Sequence, residues 1–333
     1  MQAGVWHCHR QNPGIPAVRS GQTARTGKPD AGLLLCLLPD TGSICNRRLI
    51  FFVRTRLRRE KAESILVSQL LSGEGCCRQG LYGDTKGRGI LSVPRPVFVL
   101  PYKKGGTLKD SGAKMPVDVL PYLAANDYLP SDNPKVKALA EKTVKGKKGT
   151  LARARAVYDW TIANTHRDNS VKGCGLGQAI RTLTEANGGG KCADISSVFI
   201  TVARAAGIPA RDVFGLRTKG KDGAITGDFH CWAEFYLPGT GWVQVDPADV
   251  RKAMLNEKLG LGDQATKKYT EFFWNGDDLF RIALNRGEHG ALFNGMKAEP
   301  VGYFMYPYAE VDGKALDYFD PKNFEFAVSF KAD

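Results

Sequence analysis

Apolar residues recur at helical spacing through residues 195–206. Ile195, Val198, Phe199, Val202, Ala203 and Ala206 follow the i, i+3, i+4, i+7 pattern and predict a helix with a buried face. Gly207-Ile208-Pro209 ends it, because glycine suits a left-handed C-cap and proline cannot continue a helix. The period then changes. From Phe229 to Leu237 the residues alternate, with Phe229, Cys231, Ala233, Phe235 and Leu237 on one face and His230, Trp232, Glu234 and Tyr236 on the other. Pro238-Gly239-Thr240-Gly241 supplies turn residues and Trp242-Val243-Gln244-Val245-Asp246 alternates again, which predicts a β-hairpin. Pairing Tyr236 with Thr240 sets Glu234 opposite Trp242, Trp232 opposite Gln244 and His230 opposite Asp246. A slip of two residues still leaves His230 and Asp246 diagonal neighbours on one face.

Upstream, Asp132 or Asn133 caps a helix with Pro134 in its first turn and Val136, Leu139, Ala140 and Val144 facing inward. Thr150 starts another that buries Leu151, Ala154, Val157, Tyr158 and Ile162. Gly173-Cys174-Gly175-Leu176-Gly177 is a tight loop before a short helix around Ala179–Ala186. Val250–Lys268 reads as helix or loop. Tyr303–Tyr306 and Phe324–Phe330 alternate as strands, with a turn at Asp312-Gly313 between them.

The 333 residues are 43% apolar, ample for a sizeable core. The net charge of +13 invites a nucleic-acid reading, so its distribution matters. Residues 1–94 hold 14 Lys/Arg against 6 Asp/Glu, whereas the remainder is nearly balanced and carries no basic stripe with interleaved aromatics. No nucleic-acid partner is therefore expected for the core. Five of the eight cysteines (Cys8, Cys36, Cys45, Cys76 and Cys77) lie in this basic stretch, where periodicity is brief. We expect 1–94 to be a basic, poorly ordered N-terminal region; the other reading is an upstream extension outside the working protein. Ala31–Leu38 resembles a signal-peptide core, but Pro39-Asp40 follows and no clear cleavage site is present. Leu49–Val53 is too short to span a membrane, so no transmembrane span is expected. The remaining boundaries are 95–131 as a partial β region or linker, 132–250 as the core, and 251–333 as a C-terminal extension whose strands pack on the core.

The chemistry concentrates in three stretches. Cys192 sits in Gly188-Gly189-Gly190-Lys191-Cys192-Ala193-Asp194, at the start of the predicted helix. There the helix dipole and the unpaired first-turn N–H groups favour a thiolate. A small buried cysteine at a helix start is also a common packing choice. His230 and Asp246 break the tie, because the hairpin puts an imidazole and a carboxylate on one face, where Asp246 can orient the ring.

At these residues the chain resembles the transglutaminase-like superfamily of papain-type thiol enzymes, in its bacterial form. The likeness is carried by Gly190–Asp194, by Ala205-Ala206-Gly207-Ile208-Pro209-Ala210-Arg211, by His230-x-Trp232-x-Glu234 and by Trp242–Asp246. Ala152–Trp160 resembles the helix that precedes the core, and the resemblance covers roughly 133–250. It implies an α+β papain-like fold with the nucleophile at a helix N-terminus packed on an antiparallel sheet. It also implies Cys192 as nucleophile, His230 as general base and acid, and Asp246 as orienter. The Cys192 N–H would serve the oxyanion hole, with Asn164 and His166 as weak candidates for the second donor. The implied activity is acyl transfer on amide bonds through a thioester, as protease, amidase or transglutaminase, with a peptide or protein as substrate. Relatives of this kind are often exported, though no clear signal is readable here.

Other chemistries fit less well. Gly188–Lys191 is not a phosphate loop, since Glu185 stands where its first glycine belongs and Cys192 where Ser or Thr should be. Zinc is disfavoured by the lack of a C-x-x-C pair and because His230 and Cys231 point to opposite faces of a strand. No cofactor and no core disulfide are expected, and Cys231 reads as an inert core thiol. Cys174 either lines the cleft or is structural, Trp232 packs, and Glu234 makes a salt bridge. The competing function classes are a catalytically inactive binding module of the same fold and a basic nucleic-acid or membrane-surface binder acting through 1–94.

Overall fold

Two of the helix N-termini form where the sequence supplies a capping side chain, Asn133 for one and Asp246 for another. Asn133 Oδ1 accepts the Lys135 N–H at 2.9 Å and Pro134 occupies the first turn of α1 (Pro134–Val144). The computed structural model describes residues 107–330, apart from 219–221, 277–279, 288, 292–296, 300 and 323, together with five strands between 48 and 98. Helix α2 (Thr150–Asn164) buries Ala154, Val157, Tyr158 and Ile162, and the short α3 (Ala179–Thr184) leads to the glycine run. Helix α4 (Cys192–Ala205) is buried from Cys192 to Arg204, because α1, α2 and α3 pack on it as well as the sheet. Gly207, at φ +75°, takes the left-handed turn that ends it.

The sheet beneath α4 has four strands: β1 (Ala210–Arg217), β2 (Phe229–Leu237), β3 (Gly241–Val245) and β4 (Arg281–Arg286). Their order is β3-β2-β1-β4 and every pairing is antiparallel. This is an α+β architecture with one central helix on an antiparallel sheet. The β2–β3 register differs by two residues from the pairing read from sequence. Glu234 faces Gln244 and Tyr236 faces Trp242, with Leu237 opposite Gly241. The cause is the turn. Gly239 (φ +80°) and Gly241 (φ +104°) take the left-handed positions and the Thr240 N–H bonds to Leu237 O, so Gly241 rather than Thr240 opens the returning strand. The parity of the faces survives.

The segment after the hairpin folds as two helices, α5 (Pro247–Glu257) and α6 (Gln264–Phe272). Beyond β4, β5 (Tyr308–Val311) turns at Asp312 and Gly313, both at positive φ, into Lys314–Ala315, and β6 (Phe324–Phe330) follows. The expectation for 1–94 falls mostly outside the described residues. Those described there are the strands Arg48–Leu57, Ile65–Gln69, Arg78–Leu81 and Leu91–Ser92. In the linker range, Arg95–Phe98 is a strand and Val117–Leu123 is a 3-10 helix that contains Pro121. Among the described residues no helix is long and apolar enough to cross a membrane.

Candidate active site

Cys192 is the first residue of α4, with Lys191 as its N-cap. The approach is made by Gly189–Gly190, which pairs in parallel with His166–Arg167. Asp194, in the first turn, does more than complement the helix dipole. Its carboxylate accepts the Lys191 N–H at 3.0 Å and those of Leu176 and Gly177 at 2.9 and 3.1 Å. The Ala193 N–H in turn donates to Cys174 O at 2.9 Å. Asp194 thus clamps the 173–177 loop to the start of α4. Gly175, at φ +97°, is required there, because a Cβ would stand 1.8 Å from Asp194 Oδ2.

The clamp brings Cys174 beside Cys192, and β2 delivers Cys231 to the same place. The three sulfurs lie within 4.8 Å of one another, and all three thiols are free and buried. The Cys192 thiol is held well below the ordinary cysteine range, chiefly by its contact with Cys174 and then Cys231. The His230 ring and its charge add to this while burial opposes it. Cys174 is pushed up, chiefly by the same contact with Cys192, and Cys231 chiefly by burial. One sulfur of the three is favoured as the anion.

On β2, His230 is buried and its Nε2 lies 2.7 Å from Asp246 Oδ2. The two-residue slip in register therefore leaves the contact in place. Asp246 is wholly buried at the N-cap of α5, where its other oxygen accepts the Asp249 N–H at 2.8 Å. Burial works to raise its pKa, but the charges of Arg281 and His230 outweigh it and hold the group below the usual carboxylate range. Arg281 Nη1 donates to Asp246 Oδ2 at 2.5 Å and its Nη2 to Asp249 Oδ2 at 2.9 Å. Arg217 also donates to Asp249 Oδ2. The structure thus brings all three residues singled out in the sequence to one end of α4 and the sheet.

Residues 137–247 match the sequence profile of the Transglutaminase-like superfamily. This stretch is a transglutaminase-like domain. An uncharacterized protein of Haemophilus influenzae is 39% identical over 228 residues, which cover 63% of this chain and 62% of that one. The match therefore spans less than two thirds of that relative's length. Among solved structures, a Cytophaga hutchinsonii protein provisionally named a cysteine protease has a TM-score of 0.43 at 18% identity. It covers 86% of this chain and 98% of its own. The periplasmic domain of TgpA from Pseudomonas aeruginosa has a TM-score of 0.36 at 17% identity, covering 67% and 93%.

Within the transglutaminase-like domain the weaker candidates sort themselves. Trp232 stacks on His230 with centroids 5.9 Å apart, and Glu234 pairs with Arg211 at 2.7 Å, which accounts for both as packing and ion pairing. Asn164 Nδ2 donates to Trp160 O in its own helix, and the exposed His166 lies against Gly189. A surface depression of about 560 Å³, lined in part by Asn126, Asp132, Gln178 and Arg181, shares no residue with the triad candidates. Sequence reasoning missed Arg281, which lies 35 residues beyond Asp246 and outside the range of the resemblance. The available signal was an arginine heading the apolar alternation of Ile282 and Leu284.

Aromatic residues from the C-terminal segment pack in the same apolar cluster as the sulfurs. Tyr303 stacks on Phe214 and donates to Gly175 O at 2.6 Å, and Tyr306 packs on Phe229 and Phe319.

Proposed function

We propose that this chain is a thiol-dependent acyl-transfer enzyme acting on amide bonds. Cys192 is its nucleophile, His230 its general base and acid, and Asp246 the residue that holds the ring. The observation that carries this reading is the buried His230–Asp246 contact of 2.7 Å beside a helix-start thiol whose pKa is depressed. In the proposed cycle the Cys192 thiolate attacks the amide carbonyl and the carbonyl oxygen takes up negative charge facing the Cys192 N–H. Collapse of that intermediate breaks the C–N bond, with His230 giving a proton to the leaving amine and a thioester remaining on Cys192. Water, activated by His230, releases an acid; an amine releases a new amide. Hydrolysis and transamidation thus share every step up to the thioester. The substrate is proposed to be a peptide or protein, and export is part of the reading on the family resemblance alone.

One observation favours a second reading, a binding module without turnover: Cys192 and His230 are only 4% and 3% exposed. Labelling with an electrophilic thiol probe near neutral pH, followed by peptide mapping, separates the two. Selective modification at Cys192, slowed in His230→Ala, supports the enzyme. Equal labelling of Cys174, Cys192 and Cys231, unchanged by that substitution, removes it.

A further inference from the structure

The proposed reaction uses one sulfur, yet three are gathered. Two groups of donors in this region are compact enough to consider for a cation: the three thiols, and His230 with Asp246 and Asp249. The second is already satisfied, because the Arg281 and Arg217 guanidiniums donate to its carboxylate oxygens and would oppose a further positive charge. The thiols differ. They sit in an apolar lining that includes Ala193, Ile195, Phe214 and Leu216. The Met305 thioether stands 3.9 Å from Cys231 Sγ. The alternation argument against zinc paired His230 with Cys231, and it does not apply to three sulfurs that converge.

We propose that Cys174, Cys192 and Cys231 form a binding site for a soft d10 cation, with Cu(I) as the fitting ion. A trigonal ion about 2.3 Å from each sulfur needs the sulfurs about 4 Å apart, compatible with the observed grouping within 4.8 Å. Thiolate and thioether donors in a dry pocket select Cu(I) by softness. Structural zinc instead takes four nitrogen, thiolate or carboxylate ligands in a tetrahedron, and a thioether is a poor fourth. Each thiol that ligates gives its proton to solvent, and the copper stays monovalent throughout. Occupancy takes the Cys192 sulfur out of use. That consequence rests on the catalytic reading above, whereas binding itself does not.

The test is an anaerobic titration of the full chain with Cu(I), supplied as its acetonitrile complex, against a chromophoric Cu(I) chelator. The remaining cysteines, Cys8, Cys36, Cys45, Cys76 and Cys77, are the obvious competitors. A variant with those five changed to serine is expected to keep one tightly held copper per chain. In that background, Cys174→Ala and Cys231→Ala should each weaken binding by at least the roughly 10–100-fold that loss of a mere supporting contact costs a metal site. Circular dichroism checks that both variants are folded. X-ray absorption should find three sulfur neighbours at about 2.3 Å. The proposal is overturned if copper is lost with the five N-terminal cysteines, if folded Cys231→Ala binds as tightly as its parent, or if only two sulfurs ligate. It is also overturned if two of the three thiols are already joined as a disulfide in the protein before copper is added and copper is excluded. None of these results bears on whether Cys192 is a nucleophile, which the labelling experiment decides separately.

Discussion

His230 stands between two different neighbourhoods. Towards α4 lie three sulfurs in an apolar lining. Towards α5 lie Asp246 and Asp249, each buried and each bonded to a guanidinium. The first neighbourhood sets reactivity through which sulfur keeps the proton. The second fixes position, since a carboxylate with no exposure can hold a charge only if cations hold it in turn. Substitutions on the two sides should therefore fail in different ways: on the sulfur side chemistry is lost while the fold persists, and on the charged side the fold itself weakens.

The largest effect expected is on turnover. Cys192→Ala should lower it by roughly 10⁵–10⁶-fold on any substrate that labelling identifies, the scale seen when a triad nucleophile is removed. The melting temperature should fall by no more than about a few degrees, because one small buried side chain replaces another. Loss of folding in this variant would end the contrast. Next, Asp246→Asn should lower kcat by about 10⁴-fold through the wrong ring tautomer, measured on the same substrate.

The third expectation concerns stability. Arg281→Met should cost about 3–5 kcal/mol in urea unfolding, because it leaves buried carboxylates short of a cation. Cys231→Ala should cost only about 1–2 kcal/mol. Equal costs would show that the two sides do not differ as argued. The smallest effect is with pH. A carboxyl group whose folded pKa is lowered stabilises the protein fully above its unfolded pKa and loses that contribution as pH falls through the folded value. The urea midpoint should therefore drop as pH falls below about 3.9, and Asp246→Asn should remove part of that dependence.

The parts of this arrangement that were legible in the sequence are those fixed by local period and capping. Asn133, the glycine run before Cys192 and the Gly207-Ile208-Pro209 stop set their helix ends within a few residues. The shared face of His230 and Asp246 follows from parity, which a two-residue slip cannot change. The slip itself was not legible, because it depends on which glycine turns left-handed. The convergence of Cys174, Cys192 and Cys231 was hidden for another reason. Strand alternation sets Cys231 on the face opposite His230, and nothing local says that the 173–177 loop folds back under Asp194. Arg281 was visible only as an arginine heading an apolar alternation, because its role depends on sheet order, which places β4 beside β1 rather than beside the hairpin.

That last placement bears on where the protein can be cut. The family match ends at residue 247, and a fragment trimmed there would contain every candidate triad residue. It would nevertheless lack β4, so β1 would lose one of its two partner strands and Asp246 the Arg281 guanidinium. It would also end at the first turn of α5, depriving Asp246 of the Asp249 N–H that it caps. The unit of recognition by sequence is therefore smaller than the unit of folding. Expression trials should carry the chain at least through β4, and a shorter piece that proves inactive would say nothing about Cys192.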